Sequence, residues 1–97
     1  MSRWPFSALC GAIRRSGLSA IHRTVLLTLA DVCGDGPVEW SVARLCEESG
    51  LGRDSKAGRR AIEAMAKDWP GGDLIHRQKR PGAVPVWDLH DERVTAM

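Results

Sequence analysis

The chain has 97 residues, 43% of them apolar, with a formal net charge of +2. That length supports one domain with a modest core, and the small charge means that any polyanion must be met by a local concentration of cations. Three cysteines without a C-x-x-C pair exclude a disulfide framework and zinc-finger spacing, and no apolar run approaches the ~20 residues of a membrane span.

Each cysteine lies in an apolar helical pattern, where a reduced, buried thiol is the default. Together with His22, His76 and His90 they share no spacing that fixes a metal geometry, so neither metal nor cofactor is expected. A cytoplasmic location follows from the absence of a secretion signal.

In chain order, Trp4-Pro5 opens a short amphipathic helix in which Phe6, Leu9, Cys10 and Ile13 recur at helical spacing before Arg14-Arg15-Ser16-Gly17. This extension, residues 1–17, can cap the core or meet its counterpart in a second subunit. Ser19 then caps a helix running to about Cys33 and stopping at Gly34-Asp35-Gly36-Pro37. Leu18, Ile21, Val25, Leu29 and Val32 form its stripe, widened by Leu26 and Cys33, which marks the central core helix. His22 and Arg23 in its first turn can reach a phosphate or simply be solvated.

Val38-Glu39-Trp40 is a short strand that needs a distant partner. Ser41 caps a second helix over residues 42–49, with Val42, Leu45 and Cys46 inward and Gly50 as the stop. Leu51 plugs the turn, and Gly52-Arg53-Asp54 leads to a helix over residues 54–69 with Asp54 or Ser55 as its cap. At about 100° per residue, Gly58, Ala61, Ile62, Met65 and Trp69 share one face of that helix. Lys56, Arg59, Arg60 and Lys67 share the other, with Glu63 as the one acid.

Trp69-Pro70-Gly71-Gly72 ends the helix. Two extended runs, 74–79 and 84–89, joined through Arg80-Pro81-Gly82-Ala83, predict a hairpin. Ile75, Val86, Trp87 and Leu89 supply its buried side, and Pro85 implies an edge strand. Residues 91–97 predict a polar, frayed tail. From Arg53 to Arg80 the cations (53, 56, 59, 60, 67, 77, 79, 80) outnumber the acids (54, 63, 68, 73), whereas residues 31–48 are acidic.

Helix, short strand, helix, tight turn, basic helix and basic-tipped hairpin is the element order of a winged helix-turn-helix. Trp40-Ser41, Arg44-Leu45-Cys46, Gly50-Leu51, Arg59-Arg60-Ala61-Ile62 and Trp87-Asp88-Leu89 resemble the winged helix-turn-helix domains of bacterial, plasmid and phage regulators and replication proteins. The resemblance covers about residues 18–89 of a domain placed at 18–90, and the fold class it implies is mainly α with a small β-hairpin: a three-helix core plus wing, with an extra N-terminal helix. The chain departs from the pattern in lacking a proline between Trp40 and Ser41. Its turn before the basic helix is about two residues longer, and it carries Gly58 where an apolar residue is usual.

The resemblance implies double-stranded DNA as partner, with the basic helix in the major groove and the hairpin on flanking phosphates. Arg59 and Arg60 are candidates for base edges or phosphates, because guanidinium forks match both. Arg53, Ser55 and Lys56 are candidates for phosphates near the helix N-terminus, and Lys67, on the cationic face, is a further DNA-binding candidate. Ser41 and Arg44 can touch backbone from the preceding helix, Ser41 being equally explained as a cap. Arg77, Lys79 and Arg80 are wing candidates, or simply the charges that protect an edge strand. A homodimer or cooperative oligomer on DNA is expected, because one such module buries limited DNA surface.

An enzyme is not expected. There is no glycine-rich phosphate loop or nucleophile–base pair, and Asp88, His90 and Asp91 lie at the start of the tail. Repression, recombination and replication accessory roles would use the same surface. From a different class, a winged-helix module that binds protein through its tryptophans and N-terminal helix is the alternative.

Overall fold

Three of the five helices among the described residues start on a serine whose hydroxyl occupies one of the first free N–H groups. In a computed structural model describing residues 4–66 and 74–97, α1 (Phe6–Arg15) follows Pro5, whose carbonyl accepts from Ala8 and Leu9. Ser19 caps α2 (Ala20–Val32), Ser41 caps α3 (Val42–Glu48) by accepting from the Arg44 N–H at 3.1 Å, and Ser55 caps α4 (Lys56–Ala66) by accepting from Gly58 at 3.0 Å. Of the two caps open for the basic helix, the hydroxyl of Ser55 serves. Its expected stop at Trp69-Pro70-Gly71-Gly72 lies outside the described residues.

Helix α3 ends on Gly50, which takes φ +77°. The Gly50 N–H donates to Glu47 and the Leu51 N–H to Cys46, each at 3.0 Å, so two carbonyls at the helix end are satisfied and Leu51 turns back onto the core. This motif opens the connection over residues 49–55 between α3 and α4, in which Gly52 also takes a positive φ of +93°.

The sheet has three antiparallel strands in the order β1-β3-β2, namely β1 (Val38–Glu39), β2 (Ile75–Arg80) and β3 (Ala83–Leu89). Val38 pairs with Trp87 and Glu39 with Val86, so the short strand finds its partner in the hairpin. The hairpin loop is shorter than expected. Arg80 pairs with Ala83, Pro81 holds the first corner, and Gly82 takes φ +68° at the second.

Two expectations for the hairpin are corrected by the register. Pro85 does not mark an edge, because β3 is the central strand. It sits where Val84 and Pro85 together oppose Lys79, a bulge that interrupts the ladder where proline has no N–H to offer. Its carbonyl still accepts from the Trp40 N–H at 3.2 Å. Val86 does not face inward either. Ile75 and Arg77 pair with Leu89 and Trp87 on the core side, so strict alternation puts Val86 with Gln78 on the outer side.

The core joins Val25, Leu26 and Leu29 of α2 to Leu45 and Cys46 of α3, Ala61, Ile62 and Met65 of α4, and Ile75, Trp87 and Leu89 of the sheet. Trp87 is buried, and its Nε1–H donates to the Trp40 carbonyl at 2.7 Å, tying the sheet to the start of α3. The three cysteines are buried as free thiols. Helix α1 turns Leu9, Cys10 and Ile13 into this same core, so its apolar stripe caps the chain's own interior while Phe6 stays exposed.

The C-terminal segment is not frayed. Residues Asp91–Thr95 form α5, packed on α1, with Val94 fully buried. Asp91 and Glu92 in its first turn complement the helix dipole, and the Asp91 carboxylate accepts from the Trp4 N–H at 3.0 Å. Among the described residues there are thus five helices on a three-stranded antiparallel sheet, and no helix is long and apolar enough to cross a membrane.

Candidate nucleic-acid interface

Helix α4 places its cations by burying its other side. Gly58, Ala61, Ile62 and Met65 are buried, which leaves Lys56, Arg59 and Arg60 exposed on the opposite face. These three have no carboxylate partner among the described residues. Arg59 stands close enough to α3 to pull the Cys46 thiol toward ionisation, but burial is the stronger influence and pushes that thiol up.

The candidate cations divide by partner. Arg53 is engaged by Glu47 of α3 at 2.7 Å, with both side chains at least half exposed, so this pair staples the turn from outside. Arg44 is exposed, its guanidinium 4.8 Å from the centre of the Trp40 ring. The Ser41 and Ser55 hydroxyls both act as caps, accepting from Arg44 and Gly58. Lys67 lies outside the described residues.

On the hairpin, Arg77 points inward. Its side chain is only 9% exposed, donates to the Glu63 carboxylate at 2.5 Å, and has its guanidinium 5.7 Å from the Trp87 ring. It fastens the sheet to α4 and is not presented to solvent as a wing cation. The register explains this, since Arg77 shares the inner face with Ile75 at the margin where α4 crosses the sheet. Lys79 is exposed. Arg80 is intermediate, pairing with Glu39 of β1 at 3.3 Å and donating to the Val84 carbonyl at 3.2 Å.

An open cleft of about 360 Å³ separates α4 from the hairpin, lined by Val42, Glu63, Arg77, Lys79, Arg80, Ala83 and Pro85. In the cleft lining three cations, Arg77, Lys79 and Arg80, stand against one carboxylate, Glu63. Opposite in character, a second open groove of about 330 Å³ runs along α2, lined by Thr24, Leu27, Thr28, Asp31, Val32 and Glu48. Its charged lining residues, Asp31 and Glu48, are both acids from the acidic 31–48 segment.

Of the α2 candidates, His22 is half-buried beside Ser19, whose Oγ lies 2.5 Å from the imidazole Nδ1. Burial lowers the pKa of this ring. Ordering of the first turn accounts for the residue. Among the described residues, no three His, Cys, Asp or Glu side chains converge as a metal would require. The chain matches no protein-family model, no curated protein and no solved structure.

Proposed function

We propose that this chain is a sequence-specific double-stranded DNA-binding protein of winged helix-turn-helix type, with α4 in the major groove and the β2–β3 hairpin as the wing. The observation that carries the reading is the exposed set Lys56, Arg59 and Arg60, unpaired among the described residues and backed by a buried face that holds α4 rigidly. The first turn of α4 contains no acid, and Lys56 stands there against the helix dipole. A cation at that end is unfavourable in isolation and becomes favourable when an anion is shared between it and the free N–H groups.

Phosphate neutralisation is assigned to Lys56, Arg59, Arg60 and Lys79, with Arg44 reaching the backbone from α3. Arg53, Arg77 and Arg80 act chiefly through their carboxylates and set the geometry of the turn and the wing. The biological role is transcriptional regulation of phage or mobile-element type, in the cytoplasm. A homodimer or cooperative neighbours supply the affinity that one small module lacks.

The rival reading is a protein-binding module, favoured by the exposure of Trp4 and Phe6 at the start of α1. Fluorescence anisotropy with a pool of duplex fragments across a salt series separates the two. DNA binding predicts affinity that falls steeply with salt, and Arg59→Ala with Arg60→Ala lowers the log–log slope by about 2. Failure to bind duplex at low salt overturns the DNA reading and points to the α1 surface.

A further inference from the structure

We propose that Glu63 is a specificity-determining residue, its carboxylate accepting from the N4 amino group of a cytosine in the major groove. This rests on α4 being the groove-reading helix. The inference starts from position. At about 100° per residue, Glu63 falls between Arg59 and Arg60 and in line with Lys56, at the centre of the cationic face. A surface that only neutralised phosphates would gain nothing from an acid there, because that charge repels every phosphate the flanking cations attract.

The structure also holds this carboxylate in place. Arg77 donates to Glu63 Oε1 from the sheet, and Arg77 itself is held by burial near the Trp87 ring. Glu63 nevertheless remains 40% exposed and faces the open cleft between α4 and the hairpin. A carboxylate carries about four lone-pair sites, so it can accept from several donors at once, Arg77 among them. Arg77 is thus a positioning residue that orients a fixed acceptor.

Base-edge chemistry selects the ligand. In the major groove guanine presents two acceptors and thymine an acceptor and a methyl group, all of which a carboxylate rejects. Adenine offers a donor beside the N7 acceptor. Cytosine offers its amino donor without that neighbour, and it is the base a carboxylate reads. If Glu63 served only to fasten the hairpin, its replacement would alter stability and leave base preference unchanged.

The test selects binding sites from a randomised duplex pool with the full chain, its E63Q variant and its E63A variant. Circular dichroism verifies folding, and anisotropy compares selected with scrambled duplexes. The expected result is a cytosine preference at one position in the wild type that E63A erases and E63Q turns toward adenine, whose N6/N7 edge fits an amide. Discrimination at that position falls on the order of tenfold, while binding to scrambled duplex holds or strengthens. Should E63A fail to fold, the isosteric E63Q decides alone. Unchanged base preference in folded variants that still bind DNA overturns the role of Glu63 and leaves the DNA reading intact; a wild type that retains no duplex overturns the DNA reading itself.

Discussion

Gly58→Ala sets two effects of known size against each other. In an exposed helix interior the substitution would stabilise by about 1 kcal/mol, because glycine loses more backbone entropy than alanine. At this position the added Cβ would lie 3.0 Å from Cys46 Sγ, 3.0 Å from Leu51 Cδ1 and 3.2 Å from Ser55 Oγ. The Leu51 methyl is the end of a flexible chain and can turn away. The Cys46 sulfur is buried in α3 and can retreat only if the two helices separate, while moving Ser55 Oγ disturbs the cap of α4. Overpacking of this kind costs about 1–3 kcal/mol, to which a weakened cap adds up to ~1 kcal/mol. Set against the entropic gain, these leave a net destabilisation of about 0–3 kcal/mol, centred on ~1.5 kcal/mol, a fall of several degrees in Tm for a domain of this size. Thermal and urea unfolding followed by circular dichroism measures it. A double-mutant cycle with Cys46→Ala should show favourable coupling of at least ~0.5 kcal/mol, since removing the sulfur makes room for the methyl. Stabilisation by Gly58→Ala, or strict additivity in the cycle, would refute the close approach of α4 to α3.

Trp87→Phe removes the buried indole donor from the Trp40 carbonyl and should cost about 2–4 kcal/mol in urea unfolding; a loss below ~0.5 kcal/mol would mean that the bond contributes little. Val94→Ala should cost roughly 1.5–3 kcal/mol, because Val94 is fully buried between α5 and the core. A neutral result would mean that the C-terminal helix does not dock. Burial lowers the His22 pKa from its ordinary value of 6.5. Above that pH the ring is neutral in folded and unfolded chains alike, whereas below it the unfolded chain takes up the proton first, so stability falls as pH drops. His22→Gln should therefore lose less stability than the wild type between about pH 7.5 and pH 5, and parallel pH profiles would rule the contribution out.

What the sequence determined by itself is what a few neighbouring residues decide. Ser19 and Ser41 cap helices because a hydroxyl one residue before the first turn can accept an orphan N–H wherever the helix later packs. Gly50 ends α3 and Pro81-Gly82 turns the hairpin because positive φ is a local property of glycine. The 3.6-residue stripes of α2 and α4 likewise declared which faces bury, and with them the exposed set Lys56, Arg59 and Arg60. The tertiary structure alone decided matters that depend on distant partners. Pro85 lies in a central strand because β1 pairs beside it and a bulge absorbs the missing donor. Val94 docks because α1 offers a surface for α5. Arg77 and Lys79 stand two residues apart on one strand and share its alternation, yet Arg77 lies within reach of Glu63 while Lys79, opposite the bulge nearer the hairpin tip, stays in solvent. Which cations remain available to a partner follows from which carboxylates the fold brings within reach of the others, and position along the strand relative to α4 sets that distance.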